Sequence, residues 1–347
     1  MWYTDYSGQQ LIKMNMNGNV ARFPLASFNP HAMAVGSDGK FYVGSQNQAD
    51  IDIVTTAGAV TQKAIPSADV IGYAGSMTLG PDGNVWFTEN SHVGKITTGG
   101  AISEFAYSDG STSNYYDSIA SGPDGNLWVA EYFKPAVDKV TTAGTMTQFA
   151  LACNPEGIVS AAGSLWIACN NNDFLQLNTA GTVIGTFYNY FGFSTNGNFL
   201  TVGPDGNPWF GTSSDSVIAE FNTANPSFDY YYPPANYGND NALTAGPDGN
   251  VWAIDDTSHS VNVYILNILS VSPSSLSFPA TGQNQTIVVT QPGTAAWTAT
   301  SNNTSVATVT QAAPASNFTV TSVAAGTAKI IVSDAVGNSF VVHVTVL

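Results

Sequence analysis

Four histidines, 24 acidic residues and fifteen tyrosines are the chemically capable groups of this 347-residue chain. No Ser-His-Asp spacing and no glycine-rich phosphate loop stands out, and the Asp-Gly turns lack the dense run of oxygen ligands that a calcium loop needs. The acids and aromatics gather instead in recurrent segments: Glu89 with His92; Asp109, Tyr115, Tyr116 and Asp117; Glu131 with Tyr132 and Phe133; Tyr188, Tyr190 and Phe191; Tyr230 to Tyr232, Tyr237, Asp240, Asp255, Asp256 and His259. Aromatic platforms beside carboxylates and amides suit a neutral polyol or a cation, and a saccharide fits best, because its faces stack on tyrosine while its hydroxyls bond Asp and Asn. Tyr115, Tyr116, Asp117, Tyr132, Tyr190, Tyr231, Tyr237 and Asp240 are expected to form that ligand-binding face; the alternative for several of these tyrosines is packing between repeats. His92 and His259 follow the second strand of two repeats that are not neighbours, so they read as solvent-exposed loop residues rather than one shared metal site. His343 alternates within a strand and carries no signal.

The elements that position these groups repeat. Gly80-Pro81-Asp82-Gly83-Asn84-Val85-Trp86-Phe87-Thr88-Glu89 recurs as 122–131, 203–212 and 246–255, with altered copies at Gly36 to Tyr42 and Ala161 to Trp166. Its aromatic falls at Trp2, Tyr42, Trp86, Trp128, Trp166, Trp209 and Trp252, at spacings of 40, 44, 42, 38, 43 and 43. Each copy reads as two short strands joined by an Asp-Gly turn, glycine supplying the positive φ and Asp bonding the turn's own backbone. A third strand such as Gly94 to Thr98, a second turn and a fourth such as Ala101 to Phe105 complete the unit. Four antiparallel strands every forty residues predict a β-propeller blade, with the aromatics as blade-to-blade packing. Three strands precede the first complete blade and three end the last, which predicts seven blades, two strands short. Those gaps are filled by unrecognised residues, by short blades, or by a strand donated from a neighbouring molecule. The turns alternate between the two ends of the ring, so the acids and aromatics share the face opposite the Gly-Pro-Asp-Gly-Asn turns.

Composition narrows the partners. Eight Lys or Arg against 24 acids give a net charge of −16, and Arg22 is the sole arginine. Such a surface repels phosphate backbones and anionic membranes and lacks the bidentate clamp for anions. No signal peptide and no run of about 18 or more apolar residues is present, so nucleic acid and membrane insertion are not expected. The chain opens at Met1-Trp2, already inside a repeat, which suggests that a leader has been removed. Cys153 precedes the first strand of a repeat and Cys169 ends the second. Hairpin pairing sets them opposite each other, as a disulfide of an oxidising compartment or as two small buried apolar residues. A secreted bacterial protein is the expectation.

Near Leu269 the texture changes to short alternating runs, 285–290, 296–300, 305–310, 318–322, 328–333 and 340–346. Six or seven strands with Trp297 for the core predict a β-sandwich over 268–347, after a propeller over 1–267. The opening Val271-Ser272-Pro273-Ser274-Ser275-Leu276-Ser277-Phe278 and the segment Ser322 to Ile330 closely resemble bacterial Ig-like domains, which implies display or adhesion.

The repeat itself, with Gly-Lys-Ile-Thr-Thr and Ile-Ser-Glu-Phe following the turn motif, resembles that of the virginiamycin B lyase family of seven-bladed propellers over residues 1–266. That resemblance implies Mg²⁺-assisted elimination that opens cyclic streptogramin depsipeptides, with glutamates holding the metal and a histidine as general base. The family's histidine sits just before the first strand of a blade, with one Glu two residues earlier and another at the end of the following strand. Only Asn29-Pro30-His31-Ala32-Met33 keeps the histidine, making His31 the candidate base; Asn29 and Ser45 hold the two acid positions. Glu89 and Glu131 keep the strand-end acid and are the candidate metal ligands, but Gly75 and Asp117 hold their histidine positions. The expectation is therefore an all-β extracellular module for binding, adhesion or assembly, with a glycan or protein partner or self-association through the terminal blades or the Ig-like domain, and without a certain cofactor. The alternatives are an Mg²⁺-dependent lyase and a fibre subunit joined by strand complementation.

Overall fold

The structure is a computed structural model. It describes the chain except residues 16–18, 26–28, 72–75, 108–116, 194–198, 213–216, 232–239, 247–249, 256–259, 265–269, 291–296, 314 and 334–338; at 117, 240, 241, 255, 260–264, 270, 290 and 339 it describes the backbone alone. All regular structure among the described residues is β, in two compact units, Met1–Tyr264 and Ile265–Leu347.

Among the described residues the first unit holds seven consecutive antiparallel sheets, the first and last of three strands and the others of four. In the third sheet Met77–Leu79 is innermost, followed outward by Val85–Thr88, His92–Ile96 and Ile102–Ala106. The innermost strands pack side by side in chain order. The strand Trp2–Asp5 of the first sheet and Asp240–Ala245 of the last border one cavity, which brings the ends of the series together. This is a β-propeller arrangement.

The spacing of the turn motif has a side-chain cause. In the third sheet Gly83 closes the turn at φ +77°, a conformation that favours glycine. Asp82 Oδ1 accepts from the backbone N–H of Asn84 at 3.2 Å and from the indole N–H of Trp86 at 2.9 Å. The Asp therefore caps its turn and anchors the indole four residues on, as Asp124 does for Trp128 at 3.2 Å and Asp205 for Trp209 at 3.0 Å. In the fifth sheet, where the Asp is missing, Trp166 donates to the Ala161 carbonyl at 3.0 Å instead. Trp86, Trp128, Trp166 and Trp209 are all fully buried.

Two of these indoles carry a lysine that latches neighbouring sheets. Lys95 Nζ lies 5.0 Å from the Trp86 ring centroid, 3.7 Å from Asp82, and donates to the Thr142 carbonyl of the fourth sheet's outer turn at 2.9 Å. Lys139 repeats the arrangement over Trp128 at 5.5 Å, with Asp124 at 2.7 Å and the Thr179 carbonyl at 3.3 Å. A cation with a buried stem, an aromatic face and a carboxylate is held on three sides, so each blade fixes the next.

The structure pairs Cys153 with Cys169, Cα atoms 5.8 Å apart, across the fifth sheet's inner hairpin. The second unit is a sandwich of two four-stranded sheets. One orders Ser270–Ser272, Asn284–Thr290, Asn317–Ser322 and Ala307–Ala312; the other orders Ser275–Phe278, Ser339–Val346, Gly326–Ser333 and Thr298–Ser301. Phe278, Ile287, Phe318, Ile330 and Val344 fill its core, with Trp297 packed against them. Among the described residues eight strands replace the expected six or seven. The serine-rich opening makes two short ones, and Pro273, which has no N–H to donate, separates them as the chain passes from one sheet to the other.

Candidate functional site

Within each sheet the end of the second strand faces the start of the innermost one. Pro30 pairs with Ser45, Asp117 with Glu131, Pro155 with Cys169 and Asp240 with Asp255. In the second, fifth and seventh sheets the pairing shifts there, between Pro30 and Ala32, Pro155 and Gly157, and Asp240 and Ala242. The extra residues are His31, Glu156 and Asn241. A bulge re-aims the side chain it carries, and in the second sheet it sets His31 at the central channel.

His31 is half-buried and lines the channel cavity with Trp2, Tyr3, Met33, Leu243 and Trp252; no acidic residue is among that cavity's described lining. Neither position expected to supply an acid beside it holds a free oxygen ligand. The buried Ser45 hydroxyl accepts from the backbone N–H groups of Asn47 at 3.2 Å and Gln48 at 3.0 Å, so it caps its own turn. Asn29 Oδ1 accepts from Gln9 Nε2 at 3.3 Å. Mg²⁺ needs carboxylate oxygens in near-octahedral array, and the residues around His31 do not fit it.

The two glutamates lie elsewhere, each within its own sheet. Glu89 and Glu131, the expected metal ligands, are each 1% exposed. Glu89 lies over Gly94, where a Cβ would meet Phe87 at 2.2 Å and Glu89 Oε1 at 2.5 Å, and so reaches Glu104 on the outermost strand. Burial first, then the Glu104 charge, pushes its carboxyl up to about 9. Glu131 accepts from Gln148 Nε2 at 2.7 Å and lies 3.2 Å from Lys134, while burial raises the neighbouring Asp138. Base and acids are thus distributed over three sheets.

His92 also departs from expectation. It opens the third strand of its sheet rather than a loop, is half-buried, and sets Nδ1 3.7 Å from Asp69 Oδ2.

The aromatic residues divide. Tyr190 is 78% exposed and meets Phe191 edge-on at 5.3 Å; Phe191 meets Tyr230 at 4.7 Å, whose hydroxyl donates to Asn189 at 3.0 Å. Tyr132 and Phe133 form a second edge-to-face pair at 5.0 Å, and Phe133 is exposed. Tyr231 is not a platform. Its ring lies 4.9 Å from Trp209 and its hydroxyl donates to Glu220 at 3.0 Å, which places it in blade packing. Tyr115, Tyr116, Tyr237 and His259 lie outside the described residues, and Asp117 and Asp240 are placed in strands by backbone alone.

Three acids escaped the sequence reading. Glu156 holds His31's place in the fifth sheet and is pushed by burial up to about 7; the shared Asn-Pro before both residues was the available signal. Glu220 occupies the latch position that Lys95 and Lys139 fill elsewhere, and burial, followed by the hydrogen bond with Asp205 and then its charge, raises it to about 8. Asp69 sits in a connection without a motif, and nothing in its neighbourhood of sequence marks it.

A sequence profile described as the virginiamycin B lyase family matches residues 1–177. No curated protein matches the chain. Among solved structures, a streptogramin B lyase shares 22% identity at a TM-score of 0.65, covering 76% of this chain and 89% of its own. A catalytically inactive histidine-to-alanine variant of virginiamycin B lyase from Staphylococcus aureus, solved with quinupristin, shares 22% identity at TM-score 0.65 over 75% of this chain and 89% of its own. The WD40 propeller domain of Doa1 shares 13% identity at TM-score 0.60 over 76% and 88%. At these identities the likeness concerns the fold.

Proposed function

The chain belongs to the virginiamycin B lyase family, and from that premise we propose that it is an extracellular module for binding, adhesion or assembly on a propeller that lacks the family's clustered acids and base. The observation that carries this reading is the surroundings of His31, where Ser45 is spent on a turn and Asn29 on Gln9. A general base without a metal-held carbonyl beside it supplies only part of the elimination. The exposed Tyr190 and the Tyr132–Phe133 pair favour a neutral saccharide as ligand, because a surface with eight basic and 24 acidic residues offers anions little. The Cys153–Cys169 pair agrees with an oxidising, secreted location, and an Ig-like identity for the second unit agrees with surface display.

Mg²⁺-assisted opening of a cyclic depsipeptide is the second reading. Family membership and the place of His31 on a bulge at the channel favour it. A fibre subunit is the third, resting on the first and last sheets, each of three strands among the described residues.

A neutral-glycan array followed by calorimetric titration tests the first reading. A glycan hit that Tyr190→Ala or Phe133→Ala weakens about 10-fold, the worth of one stacked ring, supports it. Absence of any hit, or a hit untouched by both variants, contradicts it.

A further inference from the structure

We infer that the third sheet carries a site for one divalent transition-metal cation of the zinc class, held by Asp69, Glu89 and His92, apart from the channel and independent of the function proposed above. One ligand atom from each residue lies within 4.8 Å of the other two. Three points so spaced share a centre no farther than about 2.8 Å (4.8 Å divided by √3) from any of them, so small side-chain adjustments reach the 2.0–2.2 Å of zinc–nitrogen and zinc–oxygen bonds.

A cluster of acids alone proves little, and two further features point to a cation. Glu89 is 1% exposed, yet its Oε1 has no hydrogen-bond donor among the described residues. Its Oε2 accepts from the Ser67 hydroxyl at 3.4 Å, and the Glu104 carboxyl lies within hydrogen-bond reach of the Glu89 side chain. Glu104 joins the cluster, accepting from the Ser67 N–H at 3.1 Å, and no lysine or arginine forms an ion pair with Asp69, Glu89 or Glu104 among the described residues. Three carboxylates gathered without a resident cation leave a charge that burial penalises and a bound ion would offset.

The donor set selects the ion. An imidazole nitrogen with two carboxylates suits Zn²⁺ or Mn²⁺, whereas Mg²⁺ and Ca²⁺ favour oxygen alone. Outer groups already orient two of the ligands. The Ser91 N–H donates to Asp69 Oδ2 at 2.8 Å, and the Ser91 hydroxyl contacts both Asp69 Oδ2 and, at 2.9 Å, His92 Nδ1. The side chains of His92 and Asp69 are 26% and 15% exposed, which leaves a path for entry. Asp69 belongs to the connection from the second sheet, and Glu89 and His92 flank the turn between the third sheet's second and third strands. A metal there ties two blades together on the face opposite the Gly-Pro-Asp-Gly-Asn turns.

The test is calorimetric titration of the chelator-treated full chain with ZnCl₂, and with MgCl₂ in parallel, alongside thermal unfolding. One equivalent of Zn²⁺ is expected to bind at micromolar concentration or tighter and to raise Tm, with Mg²⁺ at least 10-fold weaker. His92→Ala and Asp69→Asn should each weaken Zn²⁺ at least 10-fold, and the exposed His343→Ala should not. The half-exposed His92 makes its variant the safer to fold. Failure of the native chain to bind one equivalent, or equal affinity in both site variants, overturns the assignment.

Discussion

Glu156 offers a quantitative check on how the channel rim is built. It occupies the bulge that His31 occupies in the second sheet, is 7% exposed, and is pushed by burial from the ordinary 4.5 to about 7. A carboxyl whose folded pKa is raised favours folding while it is protonated. Its contribution is fully present below about 4.5 and is lost as the pH rises through about 7, because the unfolded chain ionises freely there and the folded one resists. At about 1.4 kcal/mol per pKa unit the ceiling is about 3 kcal/mol, and solvent at the rim brings the expected span nearer 2 kcal/mol. Glu156→Gln keeps the shape and removes the titration. Denaturant unfolding of both proteins from pH 4 to 8 should therefore show the variant gaining on the native chain by about 2 kcal/mol as the pH rises. A stability difference that stays constant across that range refutes the assignment of Glu156 to a desolvated position.

Other expectations follow from the blades. Lys139→Ala removes the contacts to Trp128, Asp124 and Thr179; burial pushes Asp124 upward, yet hydrogen bonds from Lys139, Asn126 and Trp128 hold it down to about 2. The loss should be about 1–3 kcal/mol in denaturant unfolding, more than that of the exposed Lys329→Ala by at least about 1 kcal/mol. Cys153 and Cys169 close a loop of sequence separation 16, so reduction of the native chain, or Cys153→Ala with Cys169→Ala measured without reductant, should cost about 3 kcal/mol and lower Tm.

The propeller was legible because one local rule repeats. Asp82, Gly83 and Trp86 act together, so their spacing survives in the sequence wherever the turn does, and the period reports the blade. The site was less legible because its parts meet through register, not through neighbourhood. Pro30 faces Ser45 across a hairpin, and comparing those slots showed that no blade holds both base and acid. What pattern could not show was burial: Glu89 and Glu131, expected as strand-end metal ligands, are each 1% exposed, and Glu89 folds back over its own sheet. Tyr231 was lost as a ligand platform because Glu220, substituting for the latch lysine, claims its hydroxyl. Asp69 comes from a connection with no repeat signature and is joined to His92 only by the packing of one blade on the next.

The most direct measurement is mass spectrometry of quinupristin incubated with the purified chain and Mg²⁺. If the channel mouth lacks the metal-holding acids, as the contacts of Ser45 and Asn29 indicate, the cyclic depsipeptide stays intact. Ring opening that depends on Mg²⁺ and disappears in His31→Ala contradicts the account and makes the chain a lyase.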